Sequence, residues 1–329
     1  MCIGALLFGS CANFESGNTA AFGKKAAIFL KTDASLSDVF TQMKEHHILV
    51  DMASFQERAE AMNLAENIHP GKYVITQGMN NYDIIKLLKS GRQEVVKIVI
   101  NKLRKKEHIA RHLGKKVATD SATFMQLFAD SNFLKSYNIN TNAVQSIMLP
   151  LTYDVYYNTS PKDIFDKMFK AYKRFWNEDR LAKAKKLNLS PTEVITIASI
   201  VDEETNKKDE MANVASVYLN RIRKGMKLQA DPTARFAYGD FSIKRVLNKH
   251  IRYDSPWNTY KVEGIPPGPI CTPKPECIDA VLENKQTDYI FFCAKEDFSG
   301  YHNFASNGTE HEANAQKFRK AMDARGIKR

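Results

Sequence analysis

Cysteine is scarce and poorly spaced for metal. The five in this 329-residue chain are Cys2, Cys11, Cys271, Cys277 and Cys293. None forms a Cys-x-x-Cys pair or stands near a histidine pair at ligand spacing, which argues against a structural zinc site. Free, packed thiols are expected, with a Cys271–Cys277 disulfide as the alternative. No apolar run approaches the ~20 residues that span a bilayer. The absence of a Gly-X-Y period and of long Pro or Ser tracts excludes collagen-like and low-complexity chains. Acidic residues are outnumbered, 37 Asp+Glu against 48 Lys+Arg, a net charge of +11 that favours an anionic partner. No helix-turn-helix, zinc-finger or RNP signature accompanies that charge, and the basic residues are dispersed, so no nucleic-acid partner is expected. With 43% hydrophobic and 26% charged residues, the chain has the composition of a globular protein and length for about two domains.

Residues Met1–Ala12 are mostly apolar and carry no Lys or Arg ahead of the apolar run. Leu6-Leu7-Phe8-Gly9-Ser10-Cys11 resembles a bacterial lipidation box without its basic leader. The favoured expectation for residues 1–25 is the end of a membrane anchor or a flexible segment. Ala26–Leu30 then reads as a strand, and Ser35-Leu36-Ser37-Asp38 as a capping-box helix start. A helix around Phe55–Met62 and a strand at Gly71–Ile75 follow, predicting a strand–helix–helix–strand module over 26–94. Tyr82–Leu88 adds a short helix stopped at Ser90-Gly91. Val95–Ile100 is β-rich, and the basic stretch Asn101–Lys116 reads as a solvated helix face. Pro161–Leu187 is strongly helical, with Ile164, Met168, Ala171, Tyr172 and Phe175 on one stripe of core.

Ser190-Pro191-Thr192-Glu193 combines an N-cap serine, a proline at the first helical position and a glutamate that closes a capping box. The helix so begun runs into Asp202-Glu203-Glu204. At helical spacing Glu204 lies over Val201, Ile200 and Ile197, whereas Glu203 follows Ser199 and Thr196. A carboxylate on an apolar face loses solvation, and the raised pKa lets it serve as a general acid. The competing reading is a helix end at which Glu204 reaches water or pairs with Lys208.

That segment and the blocks that follow it bear on that choice. Ile197–Thr205, Val214–Arg221 and Gly225–Thr233, followed by Ser255–Tyr260, Gly264–Ile270, Asp288–Ala294 and His302–Phe304 through His311, closely resemble the endolytic murein transglycosylases of the YceG-like (MltG) family. Upstream, Pro150–Tyr153 and Tyr157–Ser160 resemble the family's Pro-x-Thr-Tyr segment, and the 26–94 module resembles its LysM-like subdomain in pattern. The resemblance implies an α+β fold, a small LysM-like βααβ module followed by a larger mixed α/β catalytic domain at 95–329. It implies cleavage between N-acetylmuramic acid and N-acetylglucosamine in nascent peptidoglycan glycan strands, with 1,6-anhydromuramic ends and a limit on strand length. It also implies murein synthases (penicillin-binding proteins) as partners and a single-pass anchor at the extracytoplasmic face of the cytoplasmic membrane. No cofactor or metal is implied.

The second acid of the family's Val-Glu-x-Glu-Thr motif falls on Glu204, with Asp202 in the place of the first. Ala230 and Lys274 depart from the family's usual residues. Gln229, Asp231, Asn258 and Tyr260 are expected to hold acetamido and hydroxyl groups. Turn and capping roles are the alternative for each: Asp231-Pro232 starts a turn and Asn258 caps one. His302 and His311 match family positions and orient substrate or are structural. Asp202, Ser199, Thr233 and Ser255 are expected to support the site, Trp257 to pack, and Pro266-Pro267-Gly268-Pro269 to shape the cleft. A hydrolytic muramidase and a non-catalytic peptidoglycan-binding scaffold remain as alternatives.

Overall fold

The computed structural model describes residues 17–20, 24–243 and 245–326. The expected anchor segment, with Cys11, lies outside them. Two compact units emerge, one of residues up to 97 with 116–119 and 154–159, the other of 98–115, 120–153 and 160 onward. Helices predominate, and the strands form three separate two-stranded sheets, a mixed α/β chain compatible with α+β.

In the first unit, strand β1 (Lys25–Leu30) precedes helix α1 (Leu36–Glu45), whose start is fixed reciprocally. The Asp38 amide donates to the Ser35 hydroxyl, and the Ser35 amide donates to the Asp38 carboxylate at 2.7 Å. Helix α2 (Met52–Ala61) begins three residues before Phe55 because the Asp51 carboxylate accepts the Ser54 amide at 3.0 Å. Strand β2 (Gly71–Thr76) returns antiparallel to β1, with Lys25 opposite Thr76 and Leu30 opposite Gly71. Helix α3 (Asn81–Ser90) ends on Gly91 at φ 66°, the left-handed position that glycine takes without steric cost. Ile28, Leu30, Val39, Phe55, Tyr73, Ile75, Ile84 and Leu88 close one apolar core.

The chain then runs through β3 (Val96–Val99), α4 (Lys106–Gly114), α5 (Ser121–Ala129), α6 (Ser131–Lys135), β4 (Thr152–Val155), α7 (Pro161–Phe175) and α8 (Glu178–Lys186). It continues through α9 (Pro191–Glu204), α10 (Lys208–Arg223), α11 (Asp231–Tyr238), α12 (Asn248–Ile251), α13 (Pro275–Glu283), β5 (Phe291–Ala294), β6 (His302–Ala305) and α14 (Gly308–Ala324). Strands β5 and β6 are antiparallel, Phe291 opposite Ala305.

Two expectations are corrected here. The basic stretch 101–116 is not one solvated helix face, since α4 starts only at Lys106, and Lys102 and Arg104 ahead of it bond to acids of α9. The helical stretch 161–187 breaks after Phe175, because the Asn177 side chain accepts the Arg180 amide at 3.0 Å and starts a new helix. The stripe Ile164, Met168, Ala171 and Tyr172 is buried as its spacing predicts, while Phe175 is half-buried.

Helix α9 organises the second unit. Its capping box is formed, the Ser190 amide donating to the Glu193 carboxylate at 2.8 Å and the Glu193 amide to the Ser190 hydroxyl at 3.3 Å. Every residue from Val194 to Asp202 is buried, and α8, α10, α11 and α13 pack around the helix. There is therefore no solvated face for Thr196 and Ser199. Their hydroxyls donate back to the carbonyls of Thr192 and Thr196, at 2.8 and 2.6 Å, and so enter the core satisfied. Ser199 Oγ also accepts the Ile270 amide at 3.0 Å, fixing the loop beyond the Pro266–Pro269 run.

Candidate active site

Three consecutive acids end α9, and neighbouring cations separate them into two kinds. The Asp202 side chain is fully buried, with Lys102 Nζ at 3.1 Å and Lys274 Nζ at 3.4 Å from Oδ1, and its Oδ2 accepts the Lys274 amide at 3.1 Å. The Glu203 side chain, 7% exposed, takes a two-pronged grip from Arg104, Nε to Oε1 at 3.2 Å and Nη2 to Oε2 at 3.1 Å. Both carboxylates are thus neutralised in place, which is what lets charge stay buried.

Glu204 has no such partner: no lysine, arginine or histidine of the described residues lies within ion-pair distance. Its one side-chain hydrogen bond comes from the Tyr218 hydroxyl of α10, at 2.7 Å to Oε1. Lys208, the alternative partner, reaches Glu276 instead, at 3.2 Å. Burial pushes the Glu204 pKa up to about 7; the Tyr218 hydrogen bond pulls down, Asp231 pushes up, and Arg235 pulls down. A carboxyl poised there gives up and recovers a proton near neutrality.

Glu204 sits in a cleft of about 220 Å³ with Tyr218, Arg221, Leu228, Gln229, Asp231, Tyr260 and Phe292. Arg221 builds one wall: Nε donates to the Ile290 carbonyl at 2.7 Å and Nη1 to the Leu228 carbonyl at 2.8 Å, tying β5's approach to the 227–229 loop. Gln229 takes a left-handed φ of 49°, uncommon for a non-glycine residue, and its amide donates to the Thr259 carbonyl at 3.1 Å. Tyr260 donates its hydroxyl to Asp231 Oδ1 at 2.6 Å, and burial keeps that phenol protonated. Phe292 packs edge-on against Tyr218, centroids 6.0 Å apart.

Of the residues singled out in the sequence, Gln229, Asp231 and Tyr260 therefore join Glu204 in the cleft. Others serve the frame. Asn258, expected to hold sugar, is fully buried, and its Nδ2 donates to the carbonyls of His250, Ile251 and Tyr253 at 3.2, 3.0 and 2.7 Å. Its Oδ1 accepts the Tyr260 amide at 3.2 Å, so Asn258 shapes the loop that presents Tyr260. Thr233 donates to the Ala230 carbonyl at 2.6 Å and lies 2.7 Å from the Thr259 hydroxyl, locking the Gln229 and Tyr260 loops together. His302 is not among the residues lining the cleft; its amide and ring face Glu210, at 2.7 and 3.2 Å. His311 stacks on Phe291 at 4.9 Å. Ser255 accepts the Trp257 amide at 3.3 Å, and Trp257 Nε1 donates to the Gly268 carbonyl at 3.0 Å.

Tyr218, Arg221 and Phe292, together with Lys102 and Arg104, were not assigned roles from sequence. Tyr218 and Arg221 stand three apart among the buried residues of α10, a spacing that puts both on one face and could have marked them. Phe292 carries no local signal. Cys271, Cys277 and Cys293 are free thiols. Among the described residues no group of three or more His, Cys, Asp or Glu side chains could hold a metal ion.

The description of the YceG-like family matches residues 28–317. The chain belongs to the YceG-like family. Among similar proteins is the endolytic murein transglycosylase of Bacillus subtilis, 28% identical over 309 residues that cover 88% of this chain and 84% of that one. An endolytic murein transglycosylase of Streptococcus pneumoniae is 23% identical over 321 residues, 88% of this chain and 58% of the relative, so this YceG-like chain spans little more than half the pneumococcal protein. A crystal structure of a YceG-like protein from Listeria monocytogenes superposes with a TM-score of 0.57 at 26% identity, covering 88% of this chain and 98% of that one.

Proposed function

We propose that this chain is a lytic transglycosylase acting on peptidoglycan, with Glu204 as its general acid and base. The observation that carries this reading is the isolation of Glu204: among the described residues it alone of the three consecutive acids that end α9 lacks a cation, and it faces a polar cleft with its proton held near neutrality. The naming of the Bacillus subtilis and pneumococcal relatives supports the substrate class.

In the proposed reaction Glu204 protonates the oxygen linking C1 of N-acetylmuramic acid to N-acetylglucosamine. The C1–O bond breaks, and the neighbouring acetamido group stabilises the cationic centre. The C6 hydroxyl then attacks C1 while the Glu204 carboxylate removes its proton, leaving a 1,6-anhydromuramic end. No water is consumed, and Glu204 finishes protonated as it began. Tyr218 holds Oε1 by donating to it, which leaves Oε2 to carry the travelling proton. Asp231, oriented by Tyr260, is suited to accept from an acetamido N–H or a sugar hydroxyl.

A second reading has one specific observation in its favour. Asp231 is a second carboxylate in the Glu204 cleft, and a paired carboxylate that activates water makes a hydrolytic muramidase. Mass spectrometry of the released ends separates the two, since anhydro products are one water lighter than hydrolytic ones. The finer assignments belong to the same proposal. Cleavage is internal and sets the length of nascent strands beside murein synthases, at the outer face of the cytoplasmic membrane. Residues 95–329 form the catalytic domain. The first unit, with its strand–helix–helix–strand order, is a LysM-like glycan grip. No helix of the described residues is long and apolar enough to cross a membrane, so an anchor would have to lie outside them. A Glu204→Gln protein that still cleaves murein would sink the catalytic assignment, whereas no products from either protein, despite binding, would favour the scaffold.

A further inference from the structure

A second cavity, of about 320 Å³, opens beside Trp257, Phe236, Lys105, Lys106 and Asn142. Its aromatic side is held in place: Trp257 Nε1 donates to the Gly268 carbonyl at 3.0 Å, and the Phe236 and Trp257 rings lie 5.8 Å apart. Gly268 belongs there because a side chain would strike the Asn142 carbonyl, its Cβ falling only 2.0 Å from that oxygen. The 264–270 loop therefore closes directly on the 140–145 loop that forms part of the cavity wall.

The charges of this cavity differ from those just upstream. Lys102 and Arg104 are consumed by Asp202 and Glu203, whereas neither Lys105 nor Lys106 has a carboxylate within ion-pair distance among the described residues. Lys105 Nζ stands 5.5 Å over the Phe241 ring, a position that steadies the cation without neutralising it. Glu107 also lines the cavity and leaves it one positive charge in excess.

Two chain segments join this cavity to the Glu204 cleft. Helix α11 contributes Asp231 to the cleft and Phe236 to the cavity, five residues or about 7.5 Å along the axis. The 255–260 loop contributes Tyr260 to one and Trp257 to the other.

We propose that this cavity is a subsite for the peptide-bearing sugar next to the cleaved bond. The aromatic pair takes an apolar sugar face, and Lys105 and Lys106 take a stem-peptide carboxylate. The inference rests on the murein reading given above and sharpens its substrate to strands that still carry acidic stem peptides.

Binding tests it without requiring turnover. The full chain, as Glu204→Gln so that ligand is not consumed, is titrated by calorimetry with a disaccharide tetrapeptide and with the peptide-free disaccharide. The expected result is at least tenfold tighter binding of the peptide-bearing ligand. That preference should vanish in a Lys105→Gln/Lys106→Gln protein of unchanged circular dichroism and return in Lys105→Arg/Lys106→Arg. Equal affinities for the two ligands, or a preference that survives the double glutamine change, would overturn the subsite. Loss of the murein reading would show differently, as wild-type protein that fails to cleave strands.

Discussion

In the first unit the buried polar side chains are Asn18 and Asn81, which bond to each other at 2.7 Å, whereas the second unit buries Asp202, Glu210, Arg221, Asn258 and His250. The first core is otherwise aliphatic and aromatic and needs only area and shape to hold together. The second tolerates charge because nearly every buried polar group meets a partner: Asp202 meets two lysines, Asn258 three carbonyls, and Arg221 the carbonyls of Ile290 and Leu228. Polar burial of that kind is costly unless complete. Among the described residues Glu204 is the one of the three acids ending α9 that no cation meets, and the proposed chemistry is placed there. Asp202 and Glu203 are thus tied to cations at the helix end, and in the proposed reaction it is Glu204 that exchanges a proton.

The contrast can be broken most severely at Asp202. Asp202→Ala removes the buried counter-charge of Lys274, leaves Lys102 only Glu203 at 3.4 Å, and should cost up to about 3–5 kcal/mol, read from urea unfolding. A cost no larger than that of an exposed ion pair would mean that the α9 acids are not structurally distinct.

The opposite effect is expected two residues away. The Glu204 carboxyl has a folded pKa above its unfolded value, so the folded state is penalised as pH rises from about 4.5 through about 7. Glu204→Gln removes that penalty. It should stabilise the protein by up to about 3 kcal/mol at about pH 8 and leave stability unchanged at about pH 4. Thermal unfolding across that range checks the sign, and a destabilised variant at high pH would contradict it.

A smaller shift should follow Tyr218→Phe. The hydroxyl's hydrogen bond favours ionised Glu204, so its loss raises the carboxyl pKa further. The alkaline limb of kcat/KM, expected near pH 7 in the wild type, should move upward by about one unit or less. An alkaline limb that moves down, or stays fixed while activity falls, would remove Tyr218 from its positioning role.

The same contrast explains what could be read in the sequence. The starts of α1 and α9 were legible because Ser35-Asp38 and Ser190-Glu193 satisfy their own amides within one turn. The end of α3 was legible because Gly91 is the residue that a left-handed cap favours. Glu204 was singled out from its motif, but the reasoning from an apolar face was incomplete. Helix α9 is enclosed on all sides from Val194 to Asp202, and the Glu203 side chain is nearly as hidden from water, at 7% exposed. What distinguishes Glu204 is the direction of Lys102 and Arg104, about a hundred positions earlier in the chain, and no local pattern encodes that pairing. Asn258 stood between two readings for a related reason. An amide that can hold a sugar can equally hold three backbone carbonyls, and the loop geometry decides between them.

The most direct test of the central claim is mass spectrometry of muropeptides released from purified murein by the wild-type chain and by Glu204→Gln, with matched folding by circular dichroism. The account predicts fragments ending in 1,6-anhydromuramic acid from the wild type and a loss of at least 100-fold in the variant. Undiminished cleavage by the variant would contradict the assignment of Glu204, and fully hydrated ends would replace the transglycosylase with a muramidase.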